Sequence, residues 1–304
     1  MTAVVFPGQG SQIKEMSKDF YDNYQIARKT FEEIENFVKL DLKKIIFENQ
    51  DNMLNRTKYT QISIFTSSML IFNTLINEQK LDLNIIKYML GHSLGEYTAL
   101  ACSRKLNLEQ ASLILKKRGE LMDNAVEPNT SGMAALIGND SEYINKIIKD
   151  NKLNVEIAND NSPLQVVISG SMKNILASEK IFLKNNIKKF VKLNVSAAFH
   201  SSLMNEAQEH LSTEIDKLNL IENNIKIISN FNAEISSDNS NIISALKKQM
   251  ANKVMWTKSI RKLDEKGVGK VIEIGPGKIL SSLIKRITNN IEIQSYSSVL
   301  DLKK

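Results

Sequence analysis

The stretch from Ile85 to Ala101 constrains this chain more than any other. Ile85-Ile86-Lys87-Tyr88-Met89-Leu90 is a mostly apolar run of strand length. The residues from Glu96 to Ala101 are small or helix-favouring, with Glu96 in the first turn, where a helix dipole favours an anion. Between the two lies Gly91-His92-Ser93-Leu94-Gly95, a G-x-S-x-G sequence in a strand–turn–helix setting. Such a turn holds Ser93 at the tip of a strand, and the flanking glycines let other backbone pack close without a Cβ clash. The helix that starts at Leu94 directs N–H groups towards the serine, where an oxyanion would form. A plain Gly-Ser turn is the alternative, but the position between a buried strand and a helix favours a nucleophile.

Ahead of this elbow, residues 2–6 read as a buried strand followed by Pro7-Gly8-Gln9-Gly10-Ser11-Gln12. That loop fits neither G-x-G-x-x-G nor a phosphate loop ending in Lys-Ser/Thr, so it is a poor nucleotide site. It can instead bring a second backbone donor to an oxyanion. Helical periodicity runs through 15–39, 42–48 and 57–79, with polar breaks between them.

After the elbow, Asn107 with Gln110 three residues on resembles a helix cap, and the helix should run to about Val126. Ala111, Leu115, Arg118 and Met122 share one stripe, with Lys116 and Lys117 pointing elsewhere. An arginine on an apolar face is costly unless an anion meets it. Two readings stand: a snorkelling or internally paired side chain, or a clamp for a substrate carboxylate.

Residues 132–195 follow a rhythm of their own. Strand Met133–Ile137, helix Ser141–Asn151, strand Val155–Ala158, a turn at 159–163, strand Gln165–Ser169, helix Met172–Asn185 and strand Phe190–Asn194 follow in order. That β-α-β-β-α-β order is ferredoxin-like. It predicts a small domain, 129–195, inserted into a discontinuous large domain formed by 1–128 and 196–304. Further buried strands are expected at Ile225–Ser229 and Lys270–Ile274, with a helix after Gly275-Pro276-Gly277 and a last strand at Ile291–Tyr296. Alternating strands and helices predict an α/β large domain, hydrolase-like, with a mainly parallel sheet covered on both faces.

The chain has three histidines. His92 lies inside the elbow and cannot easily turn its ring onto its neighbour's hydroxyl. His210 lies in a polar helical stretch and reads as solvated. His200 precedes a helix starting near Ser202, at a strand-to-helix junction, and by elimination is the general base for Ser93.

Composition sets outer bounds. The 304 residues suffice for one large and one smaller domain, and 42% hydrophobic with 24% charged residues is ordinary for a globular protein. The single cysteine, Cys102, forbids an intramolecular disulfide and fits a reducing cytoplasm. No secretory leader is visible, and the apolar stretch Ile62–Ile76 is too short and too interrupted to span a bilayer. A net charge of +6 without a dense basic run argues against nucleic acid and suits acidic partners in general. No metal-ligand cluster is apparent.

Together these stretches resemble the malonyl-CoA:acyl carrier protein transacylase family and the acyltransferase domains of polyketide synthases. The matching segments are PGQGSQ at 7–12, GHSLGEYTAL at 91–100, RGELM at 118–122, NDNSP at 159–163, FHSSLM at 199–204, Gln249, and GPGKIL at 275–280. They stand in the family's order across nearly the whole chain. The resemblance implies Ser93 as nucleophile and His200 as its base, and Gln9 and Leu94 as backbone oxyanion donors. It also implies Arg118 as the holder of the malonyl carboxylate, which favours the clamp reading. Gln249 matches the position whose carbonyl orients the histidine, so no acidic third member is expected. Gln61 and Asn161 match polar residues lining the site, and Phe199 resembles malonyl-selective members. Two departures stand out: Ile62 and Ala198 occupy positions where many relatives carry proline.

The implied activity is ping-pong transfer of malonyl from malonyl-CoA to the phosphopantetheine thiol of acyl carrier protein, in fatty-acid synthesis. No cofactor or metal is expected beyond the coenzyme A thioester substrate, and neither nucleic acid nor membrane is an expected partner. A cytoplasmic monomer is the expected form. The rivals are a trans-acting polyketide acyltransferase, a thioester hydrolase with the same Ser–His pair, and a non-catalytic carrier-protein docking module.

Overall fold

The computed structural model describes residues 1–303. The chain opens with strand β1 (Thr2–Phe6), helices α1 (Lys18–Asn23), α2 (Gln25–Val38) and α3 (Thr57–Asn77), then β2 (Ile86–Gly91) and α4 (Leu94–Cys102). α5 (Leu108–Asp123) leads to β3 (Ser131–Ile137), α6 (Ser141–Asp150), β4 (Glu156–Ser162), β5 (Gln165–Ser171), α7 (Met172–Lys184) and β6 (Lys189–Lys192). α8 (Asn205–Ile215), β7 (Lys226–Ile228), β8 (Ile235–Ser236), α9 (Asn239–Lys247), α10 (Trp256–Glu265), β9 (Lys270–Ile274), α11 (Ile279–Ile287) and β10 (Glu292–Tyr296) complete it.

Two sheets result. The larger has strand order β10-β9-β1-β2-β7-β8, parallel except for β8, which runs antiparallel to β7. Its strands come from both sides of the segment that makes the second, antiparallel sheet, ordered β4-β5-β3-β6. The fold is thus mixed α/β, with a parallel-sheet core and a separate antiparallel sheet.

The sequence pattern explains why each sheet sits where it does. Strand β1 is buried on both faces: Val4 and Phe6 join the core built on α2, α3 and α5, while Ala3 and Val5 pack towards α10 and α11. A parallel sheet covered by helices needs such two-faced strands. α3 is the central rod of the first core, buried nearly all round over most of its length, with Ser and Thr side chains among its buried residues. In the smaller sheet, Ala134, Leu136, Val166 and Ile168 face Ile144, Ile147, Ile175 and Phe182 of α6 and α7. The opposite face sends Met133, Ala135 and Val167 to the main core.

Several expected boundaries shift. The helical pattern 15–39 is broken at Tyr24, whose backbone is extended (φ −125°), into α1 and α2. The helix from Asn107 keeps its cap, with Asn107 Oδ1 accepting from the Gln110 N–H at 2.8 Å, but stops at Asp123. The polar run 159–163, expected as a turn, is instead mostly strand, since β4 continues to Ser162. Its polar residues tolerate a strand because the free edge is paired: Val254 N–H donates to Ala158 O and Asp160 N–H to Val254 O, both at 2.9 Å. Thr257 Oγ1 also satisfies the Asp160 side chain at 2.6 Å. Of the two proline departures, Ile62 lies inside an unbroken α3, and Ala198 donates its N–H to Ser131 Oγ at 3.1 Å, a bond proline could not form.

Candidate active site

The parallel register sets β1 beside β2, with Phe6 opposite Gly91, so the loop after β1 meets the turn after β2. His92 N–H donates to Phe6 O at 3.0 Å and ties the two together. Both glycines of the elbow are needed. A Cβ on Gly91 would lie 2.1 Å from Gly95 O, and one on Gly95 would lie 2.2 Å from Phe6 O. Ser93 sits between them at φ 54°, ψ −111°, a conformation rare for a residue with a side chain and held here by its surroundings.

Around Ser93 the structure gathers residues from distant parts of the chain. Ser93 Oγ lies 2.9 Å from His200 Nε2. His200 Nδ1 faces two backbone carbonyls, Gln249 O and Asn252 O, each at 3.1 Å. Carbonyls only accept, so the ring proton sits on Nδ1 and Nε2 presents its lone pair to the serine hydroxyl. His200 itself has φ 54°, and its segment is tied to the small sheet: Ser169 Oγ donates to Phe199 O at 2.6 Å, beside the Ala198–Ser131 bond. Burial, with the Arg118 charge and then His92 adding to it, pushes the His200 imidazole down to about 3. The ring is therefore neutral at physiological pH.

Arg118 is fully buried on α5. Its Nη2 donates to Ser93 Oγ at 3.0 Å and to Gln249 Oε1 at 2.9 Å, and its Nη1 donates to Gln61 Oε1 at 2.6 Å. The guanidinium carbon lies 5.4 Å from the centre of the Tyr97 ring. All three hydrogen-bond acceptors are neutral and Nε makes no hydrogen bond of ordinary geometry among the described residues, while Tyr97 and the Glu96 carboxyl also favour the guanidinium's charge. A buried cation whose hydrogen-bond acceptors are all neutral, in contact with the serine, is a site that an anion would complete.

Leu94 and Gln9 carry the backbone N–H groups that are candidates to hold an oxyanion. The N–H of Leu94 opens α4, and neither it nor the Gln9 N–H has a backbone acceptor among the described residues. The Ser93 N–H is taken instead by Asn230 Oδ1 at 2.7 Å. Gln9 is anchored by its side chain, with Nε2 donating to Thr57 Oγ1 at 3.2 Å. Asn161 Oδ1 lies 2.8 Å from His92 Nε2, so the His92 ring turns away from Ser93, towards the small sheet and Trp256. Gln9, His92, Asn161, Val167, Leu193 and Leu283 line a cleft of about 290 Å³ between the two sheets. His210 stays on the exposed face of α8, apart from this cluster.

Three groups escaped the sequence reading. Asn252 shares the histidine proton with Gln249. Asn230 also donates Nδ2 to Gly91 O at 2.7 Å, bracing the elbow from both sides. Glu96 lies fully buried beneath it, its carboxyl raised above the usual range by burial. Its place in a G-x-S-x-G-E run was the only signal available. No group of three or more His, Cys, Asp or Glu side chains is set to hold a metal ion among the described residues.

Known proteins resemble this chain over nearly its whole length. The acyl transferase domain family matches residues 3–304. A malonyl CoA-acyl carrier protein transacylase of Bacillus subtilis is 34% identical over 299 residues, 97% of this chain and 93% of that protein. The crystal structure of an acyl carrier protein S-malonyltransferase from Vibrio cholerae superposes with a TM-score of 0.93 at 33% identity, covering 99% of this chain and 98% of that one. The malonyl-transacylase of a type II polyketide synthase, solved in complex with its acyl-carrier protein, superposes at 0.94 with 32% identity, covering 99% and 97%. This chain belongs to the acyl transferase domain family and is an acyltransferase.

Proposed function

We propose that the protein transfers a malonyl group from malonyl-CoA to the phosphopantetheine thiol of acyl carrier protein, through an O-malonyl ester on Ser93. The observation that carries this reading is Arg118, a buried guanidinium whose hydrogen-bond acceptors are all neutral, 3.0 Å from the serine oxygen. A neutral acyl group has no use for such a cation, whereas malonate's carboxylate pairs with it.

In the proposed cycle His200 Nε2 takes the Ser93 proton as Oγ bonds to the thioester carbon. The oxyanion is held by the N–H groups of Gln9 and Leu94, each such donor worth about 3–4 kcal/mol. The C–S bond breaks, His200 returns its proton to the departing coenzyme A sulfur, and malonyl-serine remains. The carrier thiol then gives its proton to His200 and attacks the ester, and Ser93 leaves with that proton. The carbonyls of Gln249 and Asn252 keep the imidazole in one tautomer throughout, in place of a carboxylate. Because the Arg118 charge helps hold His200 down, a carboxylate on Arg118 offsets that charge and makes the base stronger as the correct substrate arrives. The cleft between the sheets is the route for the pantetheine arm. No cofactor enters the cycle.

Initial rates with malonyl-CoA and holo acyl carrier protein varied together test the route. Parallel double-reciprocal lines with malonyl carrier protein as product are expected. Intersecting lines, or release of free malonate at an unchanged rate without carrier protein, would refute it.

A further inference from the structure

Glu96 takes no part in the steps above, yet its side chain is fully buried in the first turn of α4. Its Oε2 accepts from the Asn230 N–H at 3.0 Å and from Gln249 Nε2 at 2.8 Å. Gln249 uses the same NH₂ group on the Ser93 carbonyl at 2.9 Å, while its Oε1 accepts from Arg118 Nη2 at 2.9 Å. The two ends of this amide face opposite chemistry. On one side are oxygens that accept; on the other is a guanidinium that can only donate. An oxygen already accepting two N–H bonds is a poor place for a proton. The Ser229 hydroxyl also favours the ionised carboxyl; when the carboxyl is protonated the proton goes to Oε1, which makes no hydrogen bond of ordinary geometry among the described residues, and Oε2 accepts in either state.

We propose that Glu96 is a positioning residue that fixes the orientation of the Gln249 side-chain amide and, through it, the pose of Arg118 towards the acyl carboxylate. Without the Glu96 contact only the Ser93 carbonyl holds the NH₂ end, and the amide turns more readily. Its NH₂ group would then oppose the guanidinium, donor against donor, and Arg118 would lose the anchor on the arm that reaches Ser93. A carboxylated acyl group feels that loss directly. An acetyl group, which does not use Arg118, feels only the slackened Ser93 carbonyl.

The inference rests on the malonyl-transfer reading, and one experiment separates the two. Single-turnover acylation of Ser93 is followed by intact mass with malonyl-CoA and with acetyl-CoA, in the wild type, Glu96→Gln and Glu96→Asp. Gln keeps an oxygen at the accepting position without charge, whereas Asp keeps the charge but withdraws it by one methylene. Glu96→Gln should hold the malonyl-to-acetyl rate ratio within about threefold of wild type, since the accepting hydrogen bonds survive. Glu96→Asp should lower the ratio by about tenfold or more, the worth of a hydrogen bond to a charged group. A general loss of structure lowers both rates together and leaves the ratio alone. Wild-type ratios in both variants would overturn the proposal, as would the reverse order, with Asp retaining the ratio and Gln losing it. A wild type that takes no malonyl overturns the transfer reading itself, and this proposal with it, before any variant is compared.

Discussion

Replacing Arg118 by alanine separates recognition of the acyl group from the chemistry performed on it. In the folded protein the guanidinium makes three hydrogen bonds, to Gln61, Ser93 and Gln249. Its removal leaves the buried Gln61 Oε1 and Gln249 Oε1 short of a donor, at about 1–3 kcal/mol each unless water enters the space. The variant should therefore melt earlier and still fold. The effect on malonyl transfer is larger, because a carboxylate would have to be buried without its partner, at about 3–5 kcal/mol. Each 1.36 kcal/mol is about a factor of ten in rate, so kcat/KM for malonyl-CoA should fall by roughly two to four orders of magnitude. Acetyl transfer carries no such term. Removing the Arg118 charge also relieves one of the influences that hold His200 down, and should make it a stronger base. Acetyl transfer should hold steady or rise. The assay is acylation by malonyl-CoA and acetyl-CoA side by side on the purified variant. Equal losses for the two acyl groups would refute the clamp and leave Arg118 as a structural prop.

Three further outcomes follow from the geometry. The acylation rate should show no His200 inflection near 6.5, because the imidazole stays neutral far below that value; a rate that halves at about 6.5 would contradict its burial. Stability has the opposite sensitivity. With the folded-state value of about 3 below the unfolded one, the unfolded chain takes the proton first, so the stability His200 contributes is present above about 6.5 and is lost as the pH falls towards 3, measurable by denaturant titration. Gly95→Ala places a Cβ 2.2 Å from Phe6 O, so the elbow must shift away from β1 at about 1–3 kcal/mol, and acylation should fall with both acyl groups alike; an unchanged melting temperature and rate would show the close approach to be dispensable.

Much of this was legible in the residues because it rests on local patterns. The elbow announces itself through two glycines that the backbone contacts of Gly91 and Gly95 then require. Arg118 stood out because an amphipathic stripe has a period, and a cation upon it breaks the pattern. His200 followed from the scarcity of histidines. Asn230 and Asn252 gave no such signal. Both lie in connecting segments without periodicity, and their value comes from which backbone groups the fold brings opposite them. Glu96 read as an ordinary first-turn acid because only the packed structure shows α4 buried on every side. Strand β4 was misread at its polar end for a related reason: its pairing partner, Val254, lies nearly a hundred residues away, and local polarity cannot reveal an edge paired from that distance.

The central claim is that Ser93 carries a malonyl ester that a thiol, rather than water, removes. Intact-protein mass after mixing with malonyl-CoA, and again after adding holo acyl carrier protein, tests it most directly. A single malonyl increment on the peptide containing Ser93, absent in Ser93→Ala and passing to the carrier protein on its addition, is the predicted result. An increment that survives Ser93→Ala, or one that decays equally fast with and without the carrier protein, would contradict the account.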